Sequence, residues 1–161
     1  MSAHKLFSGI SPEDIRRIVR IEHSDPHSVL GAHPATVNGQ QGVIIRAFHP
    51  DALKAECLLG DQRIPMEMPG PRGLFCCFVP GANPPLVYRI SFEFRDQDRW
   101  VTEGPYRFLP TLGDLDLHFV GEGRHYQLYE KLGAHPQEID GVRGVAFAVW
   151  APAAKRVSLV G

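Results

Sequence analysis

The sequence has little net charge and no long apolar run. Its formal net charge is −1 over 161 residues, so we expect no general attraction to nucleic acid or to an anionic membrane. No stretch approaches the roughly 18 apolar residues that a membrane-spanning helix needs. Residues 1–10 contain one lysine and no apolar core of signal-peptide length. These absences predict a cytoplasmic protein that binds neither nucleic acid nor membranes.

Cysteine is also scarce, with only Cys57, Cys76 and Cys77 in the sequence. Adjacent side chains of a strand point to opposite faces of a sheet, so Cys76 and Cys77 should not bridge each other. Cys57 stands alone in the sequence. We therefore expect three buried free thiols rather than redox chemistry, and the sequence predicts no metal and no cofactor.

Glycine and proline are abundant, with 16 and 14 residues respectively. Both residue types favour turns, so the composition indicates many short strands rather than a helical bundle. The hydrophobic content of 43% and the charged content of 22% are typical of a globular protein. The length suffices for one domain or for two small ones.

One block of sequence occurs twice, with Leu30 corresponding to Leu132 and Pro50 to Pro152, a constant offset of 102 positions. In each copy a Leu-Gly pair ends a turn, and a proline then prevents the turn from continuing as a helix. Two glycines bracket a further turn, and an apolar strand follows. A repeat of this length predicts the start of one β domain followed by the start of a similar one.

From Gly42 onward, the sequence of the first domain predicts mostly strands. The clearest strand covers residues 88–95, where aromatic and aliphatic side chains alternate with charged ones, as in a sheet with one packed face. A turn at residues 96–98 should lead into a return strand at residues 99–102. The other predicted strands are residues 43–48, 55–59 and 74–79, and an edge or irregular strand at residues 62–68 that contains Pro65.

Two helices are predicted. Ser11 can cap the first, Pro12 fits its first position, and two acidic residues follow at the positive end of the helix dipole. Ile15 and Ile18 belong to an apolar stripe that should pack against a sheet. The second, short helix is predicted over residues 124–131.

These elements predict a mainly β chain. Residues 1–10 should form a flexible lead-in, residues 11–106 an immunoglobulin-like β-sandwich with an N-terminal helix, and residues 107–123 a connector. Residues 124–161 should begin a second, incomplete β-sandwich. Because half a sandwich would leave an apolar face uncovered, we expect the chain to be part of a longer protein.

Residues 23–28 combine histidine, serine and aspartate, which raises the possibility of a catalytic triad. Triad members normally come from distant parts of a chain, so we interpret the segment as a turn with Asp25 as its cap and Pro26 at its first position. A metal site is the other alternative, and it would use His23, His27 and His33. The segment lacks paired cysteines and acidic ligands, so we favour the turn.

With these elements in place, the chain resembles the N-terminal region of bacterial 1,4-α-glucan (glycogen) branching enzymes. Two local departures from the family pattern are Gly104, where an acid is usual, and His27, where an aromatic residue is usual. The resemblance covers nearly all of the chain after residue 10 and is most specific from Pro105 onward. It is carried by His23, Asp25-Pro26, residues 29–31, Phe48, residues 50–52, 105–108, 112–118, 121–125, 129–136, 141–145 and 149–152.

The resemblance implies an N-terminal β-sandwich, a second sandwich of the carbohydrate-binding-module type, a catalytic (β/α) barrel and a C-terminal β domain. In this family the barrel transfers an α-1,4-glucan segment to a 6-hydroxyl through two carboxylates. No barrel motif lies in this chain, so no catalytic residue is assigned. The resemblance implies a non-catalytic piece that assists glucan binding and selection of the transferred chain length, with α-glucan and the remaining domains of the same enzyme as partners. The alternatives are a stand-alone glycogen-binding or regulatory module, and a sandwich that only packs against its neighbours.

A sugar-binding surface usually contains an exposed aromatic ring beside polar groups, because the apolar face of glucose stacks on such a ring. Trp100 and Tyr106 are the predicted substrate-binding residues. The alternative for Trp100 is core packing on the return strand, because large aromatic residues in sandwiches are mostly buried. Trp150 lies on an apolar strand and is expected to be a core residue.

Overall fold

Seven strands of the first 107 residues form two antiparallel sheets that face each other as a sandwich. The computed structural model describes residues 6–7, 9–96, 98–154 and 157–159. The chain divides into two units, Met1–Arg107 and Phe108–Gly161, and each is described by itself. Gln97, in the predicted turn between two strands, lies outside the described residues.

The described strands of the first unit follow the predicted pattern of turns and apolar runs. They are β1 (Gly31–Val37), β2 (Gln40–Phe48), β3 (Lys54–Leu59), β4 (Gln62–Met66), β5 (Leu74–Pro80), β6 (Arg89–Glu93) and β7 (Arg99–Thr102). One sheet has the order β1-β2-β5 and the other the order β4-β3-β6-β7. The predicted β-sandwich is confirmed, and β4 with Pro65 is an edge strand as expected.

The core lies between the two sheets and is built from the inward side chains of both. Its most deeply buried members include Val43, Ile45, Cys57, Phe75 and Ile90. The neighbouring cysteines of β5 point to opposite faces, as predicted: Cys77 belongs to this core and Cys76 to a smaller cluster on the outer side of its sheet. All three cysteines are buried and free.

The first helix, α1 (Pro12–Arg20), begins where the sequence predicts. The Ser11 hydroxyl accepts the backbone N–H of Asp14 at 3.0 Å, and Pro12 occupies the first turn. Ile18 is buried in a cluster with Leu74, on strand β5, and residues of the turn before β1. Among the described residues, neither this helix nor the second one, α2 (Asp114–Gly121), has the length or the hydropathy of a transmembrane span.

A buried arginine fixes the N-terminal segment to the sandwich. Arg46 of β2 is 5% exposed; its Nε donates to the Leu6 carbonyl at 3.1 Å and its Nη1 to the Val29 carbonyl at 3.3 Å. Leu6 itself is buried beside Ile44. The described residues 6 and 7 of the predicted flexible lead-in are therefore packed, because an apolar side chain and a backbone carbonyl both have partners on the sheet.

The sequence repeat is also a structural repeat. In the second unit, β8 (Gly133–Ile139) pairs with β9 (Val142–Ala148) in the same register as β1 with β2, shifted by the same 102 positions. In both copies the histidine three residues after the leucine donates from Nε2 to that leucine's carbonyl, at 3.0 Å in the first copy and 2.9 Å in the second. Both hairpins turn through a polar residue and a glycine with positive φ.

The two copies differ in how deeply their second strand is buried. Val43 and Ile45 of β2 are completely buried, whereas Val145 and Phe147 of β9 are about half exposed. Strand β2 lies between β1 and β5, whereas β9 has β8 as its neighbour within the described part of the chain. Trp150, a predicted core residue, follows β9 and is 47% exposed.

The second helix lies ten residues before its predicted position. Helix α2 covers Asp114–Gly121, and the predicted segment 124–131 contains only a 3₁₀ turn, Leu128–Glu130. The Asp116 carboxylate accepts the N–H of Gly113 at 3.1 Å and contacts His125 Nε2 at 2.9 Å. The hydrogen bond with His125 is the main reason why the pKa of Asp116 falls to about 2. This carboxylate, rather than a serine cap, determines where the helix begins.

A glycine at the start of β1 lets the segment after β7 approach closely. Gly31 has φ +96°, and a Cβ placed there would overlap the carbonyl oxygen of Tyr106, in the 3₁₀ turn Pro105–Arg107. Gly39, in the turn between β1 and β2, also has a positive φ, +81°, but open space around it. Of these two glycines, Gly31 therefore combines backbone strain with a steric requirement, and Gly39 has the strain alone.

We predict that Arg46→Met lowers the free energy of unfolding by roughly 3 kcal/mol, because two buried carbonyls lose a charged donor. Urea unfolding followed by circular dichroism measures this loss. Arg89→Met, at an exposed position of β6, is the matched control and should change stability by less than about 0.5 kcal/mol. Equal effects of the two replacements would contradict the role of Arg46.

Gly31→Ala should destabilise the first unit more than Gly39→Ala. Both replacements place alanine at positive φ, which costs about 1 to 2 kcal/mol. At Gly31 the clash with Tyr106 should add roughly 2 kcal/mol. The difference between the two urea midpoints checks the prediction, and a smaller loss at Gly31 than at Gly39 would refute it.

Candidate functional site

A cleft of about 420 Å³ opens between the sheets beside edge strand β7. Its walls come from the end of β2, from β6, from β7 and from the turn that contains Tyr106. Both predicted substrate-binding residues, Trp100 and Tyr106, line it, although they are separated by the chain reversal after β7. The fold thus brings the two candidates into one concave surface, which is the usual form of a ligand site.

Strand register explains why Trp100 faces the cleft. Trp100 pairs with Phe92 and Thr102 with Ile90, and both partners point into the core. Thr102 and Trp100 therefore lie on the inner side of β7, because alternate residues share a face. Arg99 lies on the outer side, where its guanidinium contacts the carboxylate of Glu93 at 3.1 Å.

Trp100 combines a packed face with a free one. Its ring stacks on Phe92 with 6.2 Å between centroids and 28° between planes, within the range of favourable aromatic pairs. The side chain nevertheless remains 51% exposed, because β7 is the edge of its sheet. The core-packing alternative for Trp100 thus applies to the contact with Phe92 but does not account for the exposed half of the residue.

His49 is the cleft residue that sequence reasoning missed. It follows β2 and lies against three aromatic rings, Phe92, Phe94 and Trp100, at centroid distances of 5.3, 4.9 and 5.9 Å. Its Nδ1 accepts the backbone N–H of Asp51 at 3.3 Å. In the sequence, His49 is marked only by its position between Phe48 and Pro50, the aromatic residue and the proline that end the repeated block.

Tyr106 forms the opposite end of the cleft and is partly buried. Burial raises the pKa of its hydroxyl, and the ring meets His27 edge-on at 5.3 Å. Burial also lowers the pKa of His27, so both side chains are neutral at pH 7. The histidine that departs from the family pattern is therefore an aromatic neighbour of a predicted ligand contact.

Gly104, the second departure, keeps the cleft open beside Tyr88. Its φ is +68°, and an added Cβ would lie 3.2 Å from the Tyr88 ring. A residue with a side chain would press on this buried tyrosine and fill part of the cleft. Gly104 is itself one of the residues that line the cleft.

Arg46 lines the cleft but is 5% exposed and donates to two backbone carbonyls, whereas charged residues on the outer face of the neighbouring sheet form ion pairs. Lys54 and Glu93 are 2.7 Å apart, and Arg63 contacts Glu56 at 3.2 Å. The hydrogen bond from Lys54 is the main cause of the lowered pKa of Glu93. None of the described residues that line the cleft is an aspartate or a glutamate. The cleft therefore offers stacking and hydrogen bonding but lacks the paired carboxylates of glycosyl transfer.

The histidine, serine and aspartate of residues 23–28 form a locally bonded turn. His23 Nδ1 accepts the backbone N–H of Asp25 at 3.1 Å, and its Nε2 lies 3.4 Å from the Asp14 carboxylate. The Ser28 hydroxyl donates to the Asp25 carbonyl at 2.7 Å. Asp25 occupies the cap position as predicted, but its side chain makes no capping hydrogen bond. Within the described residues no cluster of three metal-ligating side chains occurs.

The buried thiols reveal one relation that the sequence does not show. Cys57 of β3 and Cys77 of β5 face each other across the sandwich and share a hydrogen bond, which lowers the pKa of Cys57 and raises that of Cys77. Burial raises the pKa of Cys76 to about 12. The sequence does not indicate a thiol partner for Cys57, because Cys57 and Cys77 become neighbours only when the two sheets pack together.

Two family models match the chain. The model of "alpha-1,4-glucan branching enzyme GlgB, N-terminal domain" matches residues 11–106, and that of "Carbohydrate-binding module 48 (Isoamylase N-terminal domain)" matches residues 131–161. The cleft lies entirely within the first match, and strands β8 and β9 lie within the second.

Several curated relatives carry the name 1,4-alpha-glucan branching enzyme GlgB. The protein from Mycolicibacterium paratuberculosis is 46% identical over 154 residues, which cover 93% of this chain and 20% of the relative. The protein from Cereibacter sphaeroides is 45% identical over 94% of this chain and 20% of its own length. GlgB 1 from Streptomyces coelicolor is 47% identical over 92% of this chain and 18% of its own length.

The chain thus spans about a fifth of the length of these relatives. The first family model covers more than half of the chain, from the start of α1 to the turn that holds Tyr106. The chain therefore belongs to the alpha-1,4-glucan branching enzyme GlgB family and contains its N-terminal domain.

Proposed function

We propose that this chain is the non-catalytic N-terminal part of a 1,4-α-glucan branching enzyme, in which the cleft beside β7 holds an α-glucan chain. The whole enzyme would transfer an α-1,4-glucan segment to a 6-hydroxyl and so create an α-1,6 branch. The observation that carries the proposal is the half-exposed ring of Trp100 inside a cleft of a domain that belongs to this family.

The chemistry of the cleft suits a neutral sugar polymer. A pyranose ring presents an apolar face of C–H groups that stacks well on an aromatic ring. Trp100 offers such a ring, and its angle is held by Phe92. Thr102 and the Tyr106 hydroxyl supply polar groups in the same cleft for the hydroxyls of the sugar. Trp100 would thus provide most of the binding energy, and Tyr106 would orient the chain.

A glucan site away from the catalytic carboxylates would influence the length of the transferred segment. A chain held at the cleft must also reach the barrel, so short chains could not occupy both sites at once. Two linked contacts increase the effective concentration of a chain that is long enough to span them. A site at the cleft would in this way select for longer transferred chains.

A second candidate function is a stand-alone glycogen-binding or regulatory module. It is supported by the location of the whole cleft within the first unit, so glucan binding would need no further domain. A reading frame that continues after Gly161 into a (β/α) barrel would favour the enzyme over the module. The cytoplasmic location, the remaining domains of the enzyme as partners and the lack of nucleic-acid or membrane binding stay predictions from the sequence.

Replacing Trp100 with alanine should weaken binding of the 161-residue chain to glycogen by at least about tenfold, because a central stacking surface is lost. Affinity electrophoresis in glycogen-containing gels measures this effect. Val101→Ala is the matched control, since Val101 is 46% exposed on the outer face of the same strand. The same Trp100 replacement in a whole branching enzyme should shift the distribution of transferred chain lengths. Unchanged glycogen retention by the Trp100 variant would remove the cleft as a glucan site.

The chain alone should show no branching activity, because its described cleft lining lacks the carboxylates that glycosyl transfer requires. The iodine absorption spectrum of amylose should stay unchanged after incubation with the chain. A mock-treated sample and a sample with an active branching enzyme are the two controls. A shift of the spectrum in the presence of the chain would disprove the non-catalytic role.

A further inference from the structure

We propose that His49 is a glucan-recognition residue that donates a hydrogen bond from Nε2 to an oxygen of the sugar stacked on Trp100. This proposal rests on the proposed function of the cleft. It adds a polar contact that neither the sequence nor the family match assigns, and it gives the stacked chain a defined orientation.

In its neutral form, the His49 ring carries its proton on Nε2. A neutral imidazole carries one proton, and the nitrogen without it can only accept. Nδ1 accepts the N–H of Asp51 at 3.3 Å, so the proton of the neutral ring lies on Nε2. The backbone turn after β2 therefore fixes the tautomer and makes Nε2 a donor.

Neighbouring aromatic rings restrict the orientation of the His49 ring. Phe94 and Trp100 each meet His49 at an interplanar angle of 74°, and Phe92 meets it at 47°. Rings on several sides, together with the bond to Asp51, restrict rotation of the imidazole. A donor that is held in place before binding loses little conformational freedom when the ligand arrives.

Nε2 of His49 is available to a ligand in the cleft. His49 is only partly buried and lines the cleft. The hydrogen bonds of the described residues give its ring one partner, the Asp51 N–H at Nδ1. Nε2 thus lies in the same cleft as the exposed face of Trp100, with its donor capacity left for a ligand or for water.

The lining of the cleft suits an uncharged ligand that carries oxygen acceptors. The described cleft lining holds no carboxylate that would favour a cationic ligand. Arg46 also lines the cleft, but its guanidinium is 5% exposed and donates to two backbone carbonyls, so it offers little charge to an anion. An uncharged ligand with an apolar face and oxygen atoms at its edge matches this combination, and a hydroxyl, ring or glycosidic oxygen of an α-glucan meets both requirements.

Two substitutions at His49 distinguish the acceptor role of Nδ1 from the donor role of Nε2. In His49→Asn the amide oxygen can still accept the Asp51 N–H, as asparagine does in turns, but no group reaches the position of Nε2. In His49→Gln the longer side chain places an amide N–H close to that position. With maltoheptaose as the probe in isothermal titration calorimetry, we expect Kd of the 161-residue chain to rise about three- to tenfold for the asparagine variant. The glutamine variant should stay within about twofold of the unchanged chain.

The Trp100→Ala variant distinguishes this proposal from the proposed function. Loss of maltoheptaose binding by Trp100→Ala with unchanged binding by His49→Asn would overturn the role of His49 and leave the cleft as a glucan site. Unchanged binding by both variants would overturn the cleft as well. Equal weakening by the asparagine and glutamine variants would show that the imidazole acts through packing, and this too would overturn the donor role.

A measurement on the unchanged chain avoids any folding defect of the variants. Nitrogen-15 spectra of labelled histidine should show His49 with a protonated Nε2 and an unprotonated Nδ1. The Nε2 resonance should move when maltoheptaose is added to saturation, whereas that of His33, whose Nε2 donates to the Leu30 carbonyl, should stay in place. A proton on Nδ1, or an Nε2 resonance that does not move, would refute the proposal.

Discussion

The buried guanidinium of Arg46 connects three parts of the first unit that are far apart in the sequence. It lies on the central strand of the β1-β2-β5 sheet and donates to backbone carbonyls of the N-terminal segment and of the turn before β1. Burying a positive charge is expensive unless its donors are satisfied, so these carbonyls must remain where they are. His49 directly follows the same strand, and the turn that Arg46 holds leads into Gly31, against which Tyr106 packs. Both ends of the cleft thus depend on one strand.

The repeat shows how local rules can specify a hairpin in two places. The two copies share a register, a glycine with positive φ at the first residue and a histidine that returns to the preceding leucine. Their surroundings differ, because Gly42 is packed so tightly against β5 that a Cβ would overlap Val79, whereas Gly144 has open space. The hairpin geometry therefore comes from the short-range sequence, and the depth of burial comes from the neighbouring strands.

Features governed by neighbouring residues could be predicted from the sequence. The Ser11 cap, the edge position of the strand with Pro65 and the alternation of β6 all follow from local chemistry. The start of α2 could not be predicted, because Gly113 has no capping side chain and the stabilising Asp116 acts together with His125, nine residues later. Trp100 and Tyr106 were identified as candidates by residue type alone. Their common cleft, and the place of His49 in it, depend on how two sheets pack.

Pro65 of strand β4 affects how readily molecules could associate through the border strands of their sheets. Pro65 removes a backbone donor from one border of the β4-β3-β6-β7 sheet, and the opposite border is a strand of only four residues that carries Arg99. Borders of this kind are poor templates for strands of other molecules. Even at high concentration, copies of the first unit should therefore not join strand to strand through the borders of this sheet.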